Sequence, residues 1–302
     1  MKKANLVLRV FALFLGFAAI ANATDTSQLQ FKFRRPHLPG AQSVIPNAIN
    51  NNGVEVGTYV DNQSVTHGYM FDGTNLITLD DPNGYYTSPQ GIPFNSEGVV
   101  VGYYFNLSGV LVGFLYDTAT QQFTDVPGPV GATGSAAGGV NDQGWISGYY
   151  YDSQGYAHGF LLQGTTYSIL DPPGSFAAYA YGINNNGDVA ITWLDSDSLY
   201  EGAIYNRSTS TYTIRNVPGA TLGTEASYLN NKGDITFWWY DSNFLVHGAV
   251  YTEYSGKFTF YTFDYPHAYQ TAVNGINDNK AFAGWFEGQQ YGSDLGYIGT
   301  FK

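Results

Sequence analysis

Residues 140–151 read VNDQGWISGYYY, in which an asparagine-headed turn precedes a run of β-forming residues. This turn, an apolar residue followed by asparagine and usually by glycine three positions later, recurs six times along the chain. Its asparagines, spaced by 45, 46, 43, 46 and 47 residues, are Asn50, Asn95, Asn141, Asn184, Asn230 and Asn277. A fixed period in this range is typical of repeat proteins. The spacing therefore predicts six copies of one structural unit.

One copy of the repeat contains four short stretches that favour strands, separated by turns. In the third copy we predict strands over residues 145–151, 157–162, 166–170 and 177–184. Residues 152–155 favour a tight turn, and Pro172 ends the third stretch because proline lacks the amide donor that a sheet needs. Four antiparallel strands per repeat predict an all-β fold, a six-bladed β-propeller of four-stranded blades. An outer-membrane barrel is disfavoured, since its strands need about 9–11 residues.

The sixth copy is incomplete, and this predicts how the ring closes. It ends at residues 296–301 without a further strand, whereas residues 31–35, FKFRR, align with residues 258–263 before the proline turn of the fifth copy. We predict that the N-terminal strand completes the last blade at its outer edge. Closure of this kind hides an edge that would otherwise template aggregation. Residues 24–302 would then form a single propeller domain.

The first 23 residues have the features of a signal peptide. Lys2 and Lys3 form a basic start, residues 10–20 are apolar, and residues 21–23, Ala-Asn-Ala, give a small-x-small cleavage pattern. The apolar stretch is shorter than the roughly 20 residues that a membrane span needs. We therefore expect an exported protein, secreted or periplasmic, with no membrane span, and we expect it to be a monomer.

The charge balance restricts the class of partner. The chain contains 12 Lys and Arg against 24 Asp and Glu, and without the leader 9 basic residues remain, for a net charge of −15. Residues 36–206 contain no Lys or Arg at all. Nucleic acids and anionic membranes need clustered basic residues, so we predict neither as a partner. The sequence contains no cysteine, which excludes a disulfide scaffold.

Three sequence words in series resemble a known bacterial family. These words are the Asn-headed turn, a Val-x-Gly-Tyr strand and a triplet that begins with histidine. The triplet occurs as His67-Gly68-Tyr69, His158-Gly159-Phe160 and His247-Gly248-Ala249, and the other copies replace the histidine with Val112, Glu201 and Leu295. From about residue 31 onward the chain resembles the extracellular HAF repeat. That resemblance implies an exported repeat protein and carries over no catalytic residues.

For residues that recur in every copy, we expect a structural role before a functional one. The asparagines favour hydrogen bonds to turn backbone. The histidines of alternate copies could share a metal ion only if all three faced the ring axis, so we predict no metal site. Acidic residues head four turns, at Asp61, Asp152, Asp195 and Asp241. They offer oxygen ligands that calcium accepts but lack the dense acid pattern of a calcium loop, so we predict no cofactor and leave calcium as a minor alternative.

Acids that depart from the repeat are the candidates for catalysis. These off-pattern acids are Glu55, Glu201, Glu225 and Glu287. Two carboxylates that face one cleft can hydrolyse a glycosidic bond, so these residues are the candidate catalytic groups of a carbohydrate-active hydrolase or lyase. The sequence does not show which of these acids lie close together in the fold. Whether the protein is an enzyme stays open, although the sequence favours a non-enzymatic protein.

Aromatic residues supply the candidate ligand-binding positions. Tyr103, Tyr149, Trp238 and Trp285 recur at one position of the blade, and His158 is a polar candidate. Flat aromatic faces beside polar groups suit sugar rings. Our first hypothesis is an exported, non-enzymatic propeller that binds a glycan or a surface protein. The alternatives are the hydrolase or lyase and a structural component of the envelope or matrix.

Overall fold

The computed structural model describes residues 31–92, 98–254, 256–288 and 294–301, which fold as strands joined by turns. The described strands number 24 and form six sheets of four antiparallel strands each. Strands that pair are consecutive in the chain, except that the first strand joins the last three. The predicted six-bladed, all-β propeller is thereby confirmed. Within these ranges no helix is long and apolar enough to cross a membrane.

Each blade consists of an inner strand at the ring axis, two middle strands and an outer strand. The inner strands are β2 (Ser43–Ile49), β6 (Gly84–Gly91), β10 (Gly134–Val140), β14 (Ala177–Ile183), β18 (Thr224–Leu229) and β22 (Ala268–Ile276). The second strands are β3 (Glu55–Val60), β7 (Val99–Asn106), β11 (Ile146–Tyr151), β15 (Val189–Leu194), β19 (Ile235–Tyr240) and β23 (Ala281–Gly288). The third strands are β4 (Thr66–Phe71), β8 (Leu111–Asp117), β12 (Ala157–Gln163), β16 (Tyr200–Asn206), β20 (Val246–Tyr254) and β24 (Asp294–Phe301). The outer strands are β5 (Leu76–Thr78), β9 (Gln122–Val126), β13 (Thr166–Ile169), β17 (Thr211–Ile214), β21 (Lys257–Phe263) and, in the sixth blade, β1 (Phe31–Arg34).

The sequence repeat and the blade are offset by one strand. The strands predicted in the third copy correspond to β11, β12, β13 and β14, with ends that differ by one residue. The first three belong to the third blade, but β14 is the inner strand of the fourth. Each copy in the sequence therefore begins after an inner strand and ends with the next one.

The N-terminal strand closes the ring as predicted. β1 pairs antiparallel with β24, with Phe31 opposite Phe301 and Arg34 opposite Ile298. The Phe31 ring lies 4.5 Å from the ring of Phe263 in the outer strand of the fifth blade. The strand that completes the sixth blade therefore also packs against the fifth. Residues 1–23, where we place the leader, lie outside the described part of the chain.

The core lies between neighbouring blades. Alternate side chains of a strand point to opposite faces of its sheet, and in this ring both faces of a blade are covered. Between the first two blades, for example, Val56 and Met70 belong to the same buried cluster as Val100 and Phe114. Six such interfaces hold the blades in a fixed order around the axis.

The Asn-headed turns connect inner and second strands, and we call this end of the ring the Asn-turn end. The Asn141 side-chain oxygen accepts the amides of Gln143 and Trp145, at 3.1 and 3.0 Å. Its amide nitrogen donates to the Asn184 carbonyl of the next blade at 3.0 Å. The predicted turn bonding is confirmed for five of the six asparagines, and Asn95 lies outside the described residues. The sequence did not predict the link between blades.

Candidate functional site

Half-buried tyrosines from three adjacent blades surround one carboxylate near the axis, at the opposite end from the Asn turns. We call this group the tyrosine cradle. Its members are Tyr149 and Tyr151 from β11, Tyr179 and Tyr181 from β14, Tyr200 from β16 and Tyr240 from β19. The carboxylate is that of Glu225, the second residue of the inner strand β18. It lies where the inner strand of the fifth blade begins.

The rings of the cradle contact one another across the blades. Tyr149 meets Tyr179 edge to face, with ring centroids 5.1 Å apart. Tyr179 and Tyr181 lie 6.3 Å apart with their planes inclined by only 10°. Tyr200 and Tyr240 lie 5.9 Å apart, inclined by 22°. Both edge-to-face and offset arrangements are favourable for aromatic pairs, so these contacts hold the rings as a preformed aromatic surface.

A glycine allows the fourth and fifth blades to approach at the cradle. Gly223 has φ +127°, and a Cβ at this position would lie 2.8 Å from the Cβ of Tyr200. Gly223 forms a parallel bridge with Tyr200, and its carbonyl accepts the amide of Tyr240 at 3.1 Å. Only glycine tolerates both this φ and this contact. Gly223 thus sets Tyr200 against Tyr240.

Glu225 has unusual electrostatics for a carboxylate. The Tyr240 hydroxyl donates to its Oε1 at 2.5 Å. Burial raises the pKa of Glu225 to about 7, and the Tyr240 hydrogen bond offsets only part of that rise. Burial and then the Glu225 charge raise the pKa of Tyr200 to about 12, and the same two causes raise the pKa of Tyr181. The cradle therefore holds one carboxyl that titrates near neutral pH among neutral phenols.

The four aromatic candidates lie on both sides of the cradle or within it. Tyr149 belongs to the cradle. Burial raises the pKa of Tyr149, and the charge of the nearby Tyr103 is the second cause of that rise. On the other side, Trp238 pairs in register with Glu225, and its indole nitrogen donates to the Val273 carbonyl at 2.7 Å. Trp285 meets Trp238 edge to face at 5.9 Å. The structure brings these candidates into one belt around the axis.

Sequence analysis missed the two tyrosines of the inner strand. Tyr179 and Tyr181 occupy β14, and the corresponding positions of other inner strands carry small or polar residues such as Ala136 and Asn274. The alternation Tyr-Ala-Tyr at 179–181 was the available signal, because it places both rings on one face of the strand.

The four acidic candidates have different partners. Glu55 is buried in β3 and forms an ion pair with Arg34 of β1; burial raises its pKa, and the Arg34 charge opposes the rise. Asn216 donates to Glu201. Gln270 donates to Glu287 at 2.9 Å.

Among the described residues, these glutamates share no hydrogen-bond partner, and they come from the first, fourth, fifth and sixth blades. Only Glu225 lies in the cradle. Most glycoside hydrolases act through a pair of carboxylates on one substrate, and the contacts of the described residues do not assemble one from these four.

His158 lies opposite Tyr150 in the sheet, between two aspartates. Its Nδ1 is 2.7 Å from Asp171 and its Nε2 is 3.5 Å from Asp152. Its ring stacks on Tyr150 at 5.2 Å. His67 and His247 repeat this arrangement in the first and fifth blades. Each histidine therefore stays within its own blade.

The acidic turns are occupied by their own backbone. Asp152 Oδ1 accepts the amides of Gln154 and Tyr156, at 2.8 and 2.9 Å. Asp61, Asp195 and Asp241 do the same in their turns. In the part of the chain that the structure describes, no group of three His, Asp or Glu side chains is placed to hold a metal ion.

Known proteins resemble this chain in fold. No family model matches it, and a search of curated proteins gave no match. Among solved structures, an Aleuria aurantia lectin mutant in complex with α-methyl-L-fucoside is 14% identical, covering 89% of this chain and 96% of the lectin, with a TM-score of 0.52. TolB from Acinetobacter baumannii is 11% identical over 89% of this chain and 67% of TolB, with a TM-score of 0.55.

A Trypanosoma rangeli sialidase in complex with the inhibitor DANA is 10% identical, covering 86% of this chain and 55% of the sialidase, with a TM-score of 0.54. A lectin and a sialidase thus resemble the fold of this chain with nearly equal TM-scores, 0.52 and 0.54. At such identities the resemblance shows the fold alone, and function has to be argued from the site.

Proposed function

We propose that this protein is an exported, non-enzymatic β-propeller that binds a glycan at the tyrosine cradle. The observation that carries the proposal is Glu225, held by Tyr240 among half-buried tyrosine rings from three blades. Apolar aromatic faces with a few fixed polar groups are what ligand sites use to bind and orient small molecules. A sugar ring offers a flat apolar face to Tyr179 or Tyr181 and hydroxyl donors to the Glu225 carboxylate.

The fold comparison supports this class of ligand. The Aleuria aurantia lectin, which is described as a six-bladed β-propeller with a distinct mode of fucose recognition, has the same number of blades. A second propeller of similar fold, the SapL1 lectin, is in complex with α-methyl fucoside. Both facts concern those proteins, and the choice of sugar for this chain rests on experiment.

The contacts of the acids favour binding over hydrolysis. Most glycoside hydrolases use a pair of carboxylates, and the partners of Glu55 and Glu201 engage those two acids elsewhere. The leader-like residues 1–23 and the HAF-like repeats support export from a bacterial cell. A mature protein that begins at Thr24 and is recovered outside the cytoplasm would agree with this assignment.

A glycan array followed by a reducing-sugar assay tests the proposal. We expect the mature protein to retain at least one class of neutral glycan, with methyl α-L-fucoside as the first soluble competitor. We expect no reducing sugar to be released from a panel of polysaccharides. An array without any retained glycan would contradict the binding assignment, and turnover would establish the hydrolase instead.

A further inference from the structure

A concave site lies at the seam where the ring closes. The segment between β1 and β2 forms one wall, and the sixth blade contributes the other. The cavity has a volume of about 300 Å³ and is lined by, among others, Arg35, His37, Leu38, Gln42, Ser43 and Gly296. A volume of this size is at the lower end of small-molecule sites and suits a ligand of about one sugar unit.

The walls of this seam cleft are fixed. Leu38 is almost completely buried and packs with Val44 in the core of the first blade. Ser43 donates to the Asp294 carbonyl at 2.7 Å, which ties the first blade to the sixth. A Cβ at Gly296 would lie 2.2 Å from the Val44 carbonyl oxygen, so the two blades meet at backbone distance. The cleft is therefore part of the rigid scaffold.

Two basic side chains line the cleft. Arg35 and His37 are exposed, and among the described residues neither forms an ion pair or a side-chain hydrogen bond. The neighbouring Arg34 is instead paired with Glu55. In a chain with 24 acids and 12 Lys and Arg, an arginine without an acidic partner is conspicuous.

In the described part of the chain, the acids of the same seam form no ion pair with Arg35. Asp294 presents its backbone carbonyl to Ser43. Burial, followed by the charge of Glu287, raises the pKa of the Asp294 carboxyl. Glu287 accepts its hydrogen bond from Gln270. The guanidinium and the imidazole thus remain available on one side of a concave surface.

We propose that the seam cleft binds a carboxylate, of the uronic acid class, between Arg35 and His37. A guanidinium matches a carboxylate with two parallel hydrogen bonds, and an imidazole N–H supplies a third donor. Gln42 offers amide groups to sugar hydroxyls. This site goes beyond the tyrosine cradle, which lacks basic residues and would take a neutral sugar face.

Calorimetry with D-galacturonate at low ionic strength tests the site in the full mature protein. We expect galacturonate to bind at least tenfold more tightly than galactose. Arg35→Gln should weaken galacturonate binding at least tenfold, and His37→Gln should weaken it severalfold. The matched control is Lys232→Gln, which removes one exposed charge at the Asn-turn end and should leave binding unchanged.

Three results would overturn the proposal. Equal affinity for galacturonate and galactose would remove the role of the carboxylate. Unchanged binding in folded Arg35→Gln and His37→Gln variants, checked by their melting temperatures, would place the ligand elsewhere. Sulfate binding as tight as galacturonate would assign the cleft to a general anion. Tyr181→Ala should not alter galacturonate binding, so this site and the cradle can fail independently.

Discussion

Arg34 of the N-terminal strand forms an ion pair with Glu55 of the first blade. Arg34 belongs to β1, which completes the sixth blade, whereas Glu55 lies in β3, the second strand of the first blade. The pair therefore joins the two blades between which the ring closes. Glu55 occupies a position where other blades carry apolar residues, such as Val100 and Val189. Its departure from the repeat is explained by its partner at the seam.

Removal of one partner should destabilise the ring. We expect Arg34→Ala to lower the free energy of unfolding by about 1–2 kcal/mol, because the buried Glu55 carboxylate loses its charged donor while the Arg34 side chain was half exposed. Urea denaturation measures the change. The double variant Arg34→Ala/Glu55→Val should recover most of the loss, since valine fills this position in two other blades. A double variant as unstable as the single one would contradict this explanation.

The N-terminal strand should contribute to stability as a whole. Deletion of residues 24–36 removes β1, exposes the edge of β24 and uncovers the rings that pack on Phe31 and Phe33. We expect the melting temperature to fall by at least about 5 °C, which corresponds to about 3 kcal/mol in a domain of this length. An unchanged melting temperature would refute closure by this strand.

The three histidines should make stability depend on pH. Burial lowers the pKa of His158, but the hydrogen bond and charge of Asp171 outweigh burial and raise it above its usual value. The same balance raises the pKa of His67 and His247. A raised pKa in the folded state means that the stabilisation is fully present below about pH 6.5 and is lost as the pH rises through the folded values.

Replacement of these histidines by the residue of another blade isolates the effect. The second blade carries Val112 at this position, so His67→Val, His158→Val and His247→Val can be combined. We expect thermal melts of the wild type to lose stability between pH 6 and 8 more steeply than those of the triple variant. If the stability of the wild type and of the triple variant changed with pH in the same way, the Asp–His contacts would not stabilise the protonated histidines.

Glycan binding should follow the ionisation of Glu225. Its pKa of about 7 reflects burial, which the Tyr240 hydrogen bond only partly offsets. An ionised carboxylate accepts stronger hydrogen bonds from sugar hydroxyls than the neutral acid does. We expect affinity to rise severalfold between pH 6 and 8. The Glu225→Gln variant should bind more weakly and show no inflection near pH 7; a flat profile in the wild type would contradict this role.

The sequence predicted the features that depend on one repeat. Its period gave the number of blades, and the unfinished sixth copy identified residues 31–35 as the closing strand, because a missing strand and a matching segment can be aligned directly. Asn141 was predicted to bond its turn for the same reason, since the interaction is local.

Features that depend on contacts between two blades could not be predicted from the sequence. The cradle combines Tyr149, Tyr181 and Glu225, which lie up to 76 residues apart and meet only because adjacent blades are packed at fixed angles. The partner of Glu55 comes from 21 residues earlier in the chain but from the far side of the seam. Periodicity orders the strands within a blade and carries no information on which side chains of neighbouring blades touch.

Calorimetric titration of two tyrosine variants tests the central claim most directly. Tyr181 lies in the cradle, and Tyr212 of the same blade is half-buried in the outer strand β17, 5.3 Å from Tyr205. With the glycan that the array selects, we predict that Tyr181→Ala weakens binding at least tenfold while Tyr212→Ala leaves it within twofold of the wild type. Equal affinities for the two variants would contradict glycan binding at the tyrosine cradle.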